Sequence, residues 1–151
     1  MDNQSRLVLS FSISRLPLTD NLAYWYIKRG NGRPFRKLTK DGEKWKKVVA
    51  EATEAAIAKS SFPMDKNEKG VNLALLGYTM RISIHQYMSS KSIWMRDAHN
   101  GGKLLIDSMC DVIGLDDRYS TQLTISKSLA VKDSTFVHVE FEPNGKEDQH
   151  L

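Results

Sequence analysis

Leu7, Leu9, Phe11 and Ile13 alternate with Val8, Ser10 and Ser12. This period-two pattern predicts a strand with one buried face, and Pro17 ends it. From Leu16 to Leu38 the chain carries Pro17, Asn21, Gly30, Gly32 and Pro34 around Tyr24, Trp25 and Tyr26, which reads as an extended or hairpin-like loop. Thr39 can cap a helix with Asp41 and Glu43 in its first turn. Trp45, Val48, Val49, Ala52, Ala55 and Ala56 then recur at helical spacing, so a helix is expected from about Asp41 to Lys59. Residues 60–72 hold Pro63, Gly70 and mixed charges and read as a loop.

Leu76, Tyr78, Met80, Ile82 and Ile84 give the clearest alternation in the chain and predict a central strand. A second helix fits Asn100–Ile113, with Leu105, Met109 and Val112 on one face and Gly114 placed to stop it. Leu123, Ile125 and Leu129, then Val137, Val139 and Phe141, predict two more strands, expected to form an antiparallel pair. The sum is a single α+β domain over residues 1–142, a mixed sheet of about four strands with two main helices, and a polar tail at 143–151.

Composition agrees with one soluble globular domain: 151 residues, 40% hydrophobic and 26% charged. No apolar run approaches 18 residues, so no membrane span or membrane partner is expected. The polar N-terminus lacks the pattern of a secretory signal. The single Cys110 forms no internal disulfide and fits a reducing compartment, which predicts a cytoplasmic protein. Net charge is only +4, but its distribution is uneven. Nine basic residues against two acidic ones lie between Lys28 and Lys47. Lys28, Arg29, Arg33, Arg36 and Lys37 in that segment could track phosphates, with Tyr24, Trp25 and Tyr26 stacking on unpaired bases; a solvated loop with an apolar anchor is the alternative.

The densest chemical cluster is Arg96-Asp97-Ala98-His99-Asn100-Gly101-Gly102-Lys103, followed after the helix by Asp116-Asp117. In an extended stretch Asp97 and His99 project to one side and could share a metal ion. Asn100 marks the expected helix start, where free backbone N–H groups favour an anionic phosphate. Lys103 lies one turn on, where an ammonium could neutralise charge on that phosphate. Carboxylates, a metal and a lysine are the parts needed to hydrolyse a phosphodiester. The same residues also fit capping by Asp97 and a turn at Asp116-Asp117.

The run Arg96-Asp97-x-His99-Asn100-x-x-Lys103-x-x-x-Asp107, with Asp116-Asp117 downstream, resembles the signature of the RusA-type Holliday junction resolvases, R-D-x-D-N-x-x-K-x-x-x-D followed by D-D. The resemblance implies a homodimeric endonuclease that cuts four-way DNA junctions with Mg²⁺ or Mn²⁺. Carried over by position, it implies that Asp97, His99, Asp116 and Asp117 hold the metal and that Asp97, His99, Lys103 and Asp117 are catalytic. Arg96 and Asn100 then join the basic segment in holding DNA.

The departure is His99, which stands where the family carries an acid. Imidazole suits Mn²⁺ better than Mg²⁺ and removes a negative charge. The outcomes left open are a shifted metal preference, a His99 that serves as base, or a protein that binds junctions without cutting. An unrelated phosphatase using the same acids is a third, weaker reading. A helix over Asn100–Ile113 spans roughly 20 Å, so either the chain folds Asp117 back towards Asp97 or an isologous dimer supplies it from a second copy.

Other residues have simpler expectations. His85 and His138 are read as hydrogen-bonded or solvent-side, Cys110 as a packed small hydrophobe, and Asp107 and Asp111 as a hydrated face in contact with Lys103. Gly101-Gly102 is read as a place of close backbone approach to DNA.

Overall fold

The computed structural model describes residues 7–27 and 35–143. The elements in order are β1 (Leu7–Ile13), α1 (Asp20–Ala23), β2 (Tyr24–Ile27), β3 (Phe35–Leu38), α2 (Lys40–Ser60), β4 (Tyr78–Met88), α3 (Gly102–Ile113), β5 (Ser120–Leu129) and β6 (Ser134–Pro143). Single 3₁₀ turns at Leu73–Leu75 and Asp117–Tyr119 precede β4 and β5.

Four strands form a mixed sheet in the order β1-β6-β4-β5, antiparallel except for the parallel β4–β5 pair. The strand alternation sorts this sheet into two faces. Leu9, Phe11 and Ile13 of β1, Met80, Ile82 and Ile84 of β4, and Val137, Val139 and Phe141 of β6 are buried and share one core with Trp45 and Val49 of α2 and Leu105, Met109 and Ile113 of α3. The opposite face is polar: Arg81 bridges Glu140 at 3.0 Å and Glu142 at 2.5 Å, and His138 bonds Ser10 at 2.8 Å. The result is the expected α+β arrangement of one mixed sheet covered by two main helices.

The expected β5–β6 pair does not form, because β4 lies between the two strands. The chain leaves β4, runs through α3 and returns as β5, and a crossover through a helix produces a parallel neighbour. It then passes over the end of β4, where Ala130 N–H bonds Met88 O at 2.8 Å, and enters β6 on the far side. Burial explains the choice. The β6 residues Val137, Val139 and Phe141 are fully buried and need strands on both flanks, whereas Leu123 and Leu129 of β5 are half-exposed or more and suit an edge.

The hairpin-like reading of residues 16–38 corresponds to the separate antiparallel pair β2–β3, preceded by the one-turn α1. Lys28, Arg29 and Arg33 lie outside the described residues, as does 144–151 of the expected tail; β6 itself runs through Pro143. Thr39 caps α2 as expected, its Oγ1 accepting from Gly42 N–H at 3.0 Å. Helix α3 starts at Gly102 rather than Asn100. Gly101 has φ +90°, and a Cβ there would meet Leu18 O at 2.5 Å. The close backbone approach at this glycine is therefore to the chain's own Pro17-Leu18 segment. Among the described residues no helix is long and apolar enough to cross a membrane.

Candidate active site

The loop between β4 and α3, residues 89–101, carries the first part of the motif, and four side chains fasten it. Gln86, buried on β4, donates from Nε2 to Ala98 O at 2.6 Å. Lys127 on β5 donates from Nζ to Ile93 O at 2.6 Å and Arg96 O at 2.9 Å. Arg96 donates to Pro17 O, and Asn100 Oδ1 accepts from Asp20 N–H at 3.2 Å. Arg96 and Asn100, expected on DNA, thus tie the loop to the segment leading into α1. Burial lowers the Arg96 guanidinium from its ordinary value, and Asp133 opposes that. Asp97 is exposed, and its Oδ1 accepts the His99 N–H at 3.1 Å, a local turn that fixes the two residues relative to each other.

Along α3, positions 102, 103, 106 and 107 fall on one face. Together with His99 in front of the helix, Asp117 behind it and Leu123 and Ile125 of β5, they line a groove of about 340 Å³. One chain therefore brings His99, Lys103 and Asp117 to a common groove, and a second subunit is not needed to join them. Asp97 stands beside His99 and is not part of the groove lining. Asp116 lines an adjoining cavity of about 580 Å³, which Asp117 and Asp107 also border.

Asp107, read from the sequence as a hydrated surface residue or a contact of Lys103, makes that contact and also occupies a more central place. It borders both of these cavities and a third of about 290 Å³ that holds Tyr24, Arg36 and Lys46. Its carboxylate lies 3.5 Å from Lys103 Nζ. Its membership of the K-x-x-x-D spacing was the available signal. Arg36 packs over the Tyr24 ring at 4.5 Å, so the base of the hairpin presents a guanidinium to the same junction of grooves. Lys37 is exposed on β3, opposite Trp25 in register.

The acidic end of the groove is electrostatically strained. Partial desolvation, a side-chain hydrogen bond to Asp116 and the charges of Asp107 and Asp116 push the Asp117 carboxyl above the usual range, with Lys103 opposing. Asp116 is held below it, first by the Arg118 N–H at 3.0 Å and then by Asp117. Like carboxylates that share a proton also favour a cation between them. Among the described residues, no three His, Cys, Asp or Glu side chains stand close enough to form a complete protein cage for a metal. Magnesium does not require one, since it commonly binds through one or two carboxylates plus water and substrate phosphate.

His85, His138 and Cys110 behave as simpler chemistry predicts. His85 is gripped by Ser126 Oγ at 2.6 Å and Ser128 Oγ at 2.7 Å. Cys110 is buried, and burial with the charges of Asp117, Asp107, Asp111 and Asp116 pushes its thiol up to about 12.

The position of Asp116 and Asp117 depends on Asn72, which is 1% exposed. Asn72 Nδ2 donates to Pro63 O and Ile113 O, both at 3.0 Å. Its Oδ1 accepts from Asp65 N–H at 2.9 Å and Ala74 N–H at 3.1 Å, and its own N–H reaches Gly114 O at 2.8 Å. Gly114 ends α3 at φ +81°, against Asn72 and Gly70. No protein-family model matches the chain, and no curated protein matches it.

Proposed function

We propose that this chain is a divalent-metal-dependent endonuclease that hydrolyses phosphodiesters in branched DNA, of the RusA Holliday junction resolvase type. The observation that carries the reading is the single groove lined by His99, Lys103, Asp107 and Asp117, four positions of one motif drawn from both ends of α3. The donor set fits a divalent cation of the Mg²⁺ or Mn²⁺ kind. Asp117 and Asp107 offer carboxylate oxygens to the groove and His99 an imidazole nitrogen, with Asp116 next to Asp117 and Asp97 next to His99 just outside the lining. When bound, such a cation polarises a phosphoryl oxygen and lowers the pKa of a coordinated water.

The chain's own groups divide the remaining tasks. Lys103, which lines the groove beside Asp107, offsets the negative charge that develops on phosphate. His99 either holds the cation or accepts the proton of the attacking water. Arg36, Lys37 and the basic segment that includes Lys28, Arg29 and Arg33 supply the positive charge that an acidic site needs before a polyanion can approach it. Selectivity comes from junction shape rather than base edges. A homodimer would supply two symmetric cuts, each site built within one chain.

Incubation with a synthetic four-way junction and either Mg²⁺ or Mn²⁺ tests this. Nicked strands are expected with one metal, and Asp117→Asn is expected to bind without nicking. His99→Asp is expected to extend cutting to Mg²⁺. The second reading is a junction-binding protein that does not cut, favoured by His99, which stands where the resembled signature carries an acid. A mobility shift without nicks in either metal would select it, and failure to bind the junction at all would overturn both.

A further inference from the structure

Resting on the nuclease reading above, we propose that Trp94 stacks on an unpaired or unstacked DNA base beside the scissile phosphate, with Met95 as its flank. Both residues are 85% exposed, although hydrogen bonds hold the backbone around them. On one side Ile93 is buried with Leu16 and Met88, and its N–H bonds Ser89 O at 3.1 Å. Met95 N–H bonds Ser92 O at 3.0 Å. Lys127 Nζ clamps the carbonyls of Ile93 and Arg96, the two residues that bracket the exposed pair. The loop therefore presents an indole and a thioether to water from a fastened backbone, where burial of either would be favourable. An aromatic side chain has only two side-chain torsions and loses little conformational freedom when it meets a flat partner.

Position and charge identify that partner. Trp94 is three residues before Asp97, so their backbones are within about 10 Å. Nucleotides repeat every ~3.4 Å along one strand of a duplex. A phosphate at His99 thus places its own base or a near neighbour within reach of the ring. The ammonium of Lys127 lies 5.9 Å from the Trp94 ring centroid, and exposed Lys91 is on the same loop. An aromatic face set among cations is the usual platform for single-stranded or splayed nucleotides. A duplex keeps its bases stacked and offers none, so Trp94 would favour branch points and single strands.

The test is binding in EDTA, where cutting is absent, of the full chain to a four-way junction, a single strand and a blunt duplex, read by fluorescence anisotropy. A 2-aminopurine at the branch point reports stacking. Trp94→Ala is expected to weaken junction and single-strand binding roughly tenfold, to leave duplex binding and Tm unchanged, and to abolish 2-aminopurine quenching. Trp94→Phe should restore most of both signals. Unchanged junction affinity and quenching in Trp94→Ala, while the parent protein binds, overturn the stacking proposal and leave the nuclease reading intact. A change in sedimentation instead of DNA binding would overturn it in favour of self-association. A parent protein that binds no DNA removes both.

Discussion

Gln86 and Lys127 are register partners on the parallel strands β4 and β5, and both spend their side-chain nitrogens on the backbone of the same loop. Gln86 holds Ala98, between Asp97 and His99, while Lys127 holds Ile93 and Arg96. The pairing of two strands thus sets the position of the first half of the candidate site.

The two fasteners should differ in what they cost. Gln86→Leu removes one hydrogen bond but also a buried Oε1 that has no partner, so stability should change by about 1 kcal/mol or less. Lys127→Met strands two carbonyls and should cost about 1–3 kcal/mol. Both should speed amide exchange at residues 98–100 and slow cutting more than they weaken junction binding. Urea unfolding, hydrogen exchange and single-turnover kinetics separate these effects.

Asp117→Asn should abolish cutting without destabilising the fold. The raised pKa means that the folded state disfavours the carboxylate. That penalty is absent below the unfolded-state value and fully present above the folded one. At neutral pH the Asn variant should therefore melt at the same or a higher temperature than the parent, and the difference should vanish in acid. Millimolar Mn²⁺ should raise the parent's Tm at neutral pH, less so in acid where protons compete, and should do much less for the variant. A lowered Tm at neutral pH would show Asp117 to be a structural residue.

Asn72→Ala should cost about 3 kcal/mol or more. It leaves the buried Ile113 carbonyl without its partner and takes a bond each from the part-buried Pro63 carbonyl and Asp65 and Ala74 N–H groups. Because the Asn72 side chain holds the Ile113 carbonyl next to Gly114, activity should fall even at temperatures where the variant remains folded. Circular dichroism melts and cutting assays on the same samples check both.

Cys110 should resist alkylation in the native state up to pH 9. Its thiol is raised to about 12, so the reactive thiolate is scarce, and the side chain is buried. Iodoacetamide should label it readily only after unfolding in guanidinium. Fast native labelling would mean that α3 opens at its C-terminal end.

The elements were legible where one periodicity ran uninterrupted. Thr39, Trp45 and Val49 specified α2 to within a residue, and Met80, Ile82 and Ile84 specified a central strand. Pairing was not legible, because alternation in β5 and β6 states which side chains face the core and not which strand lies alongside. Among the site residues, spacing paired Asp97 with His99 and Asn100 with Lys103, whereas the groove takes His99 and Lys103 and leaves Asp97 and Asn100 outside its lining. The meeting of Asp107 with Asp117 depends on the reversal at Gly114, whose geometry is imposed by Asn72 some forty positions earlier. Gln86 and Lys127 could not be found from the motif, since their role is exercised through backbone carbonyls that any sequence would provide. The same holds for Arg96 and Asn100, whose bonds to Pro17 and Asp20 span about eighty positions.

Strand β5 divides its labour by parity. Leu123, Ile125 and Lys127 serve the groove and its loop, while Ser126 and Ser128 grip His85. Loss of one residue from the link between Gly114 and Ser120 would, if the strand stayed in place, exchange the two sets. Thr124 and Ser126 would then line the groove, Lys127 and Leu129 would face the imidazole, and the loop would lose its ammonium clamp. The short link after α3 is thus a place where length matters more than identity. Substitutions at the exposed Arg118 and Tyr119 should be tolerated, unlike changes at the buried Leu115 or the two aspartates, and deletions should not.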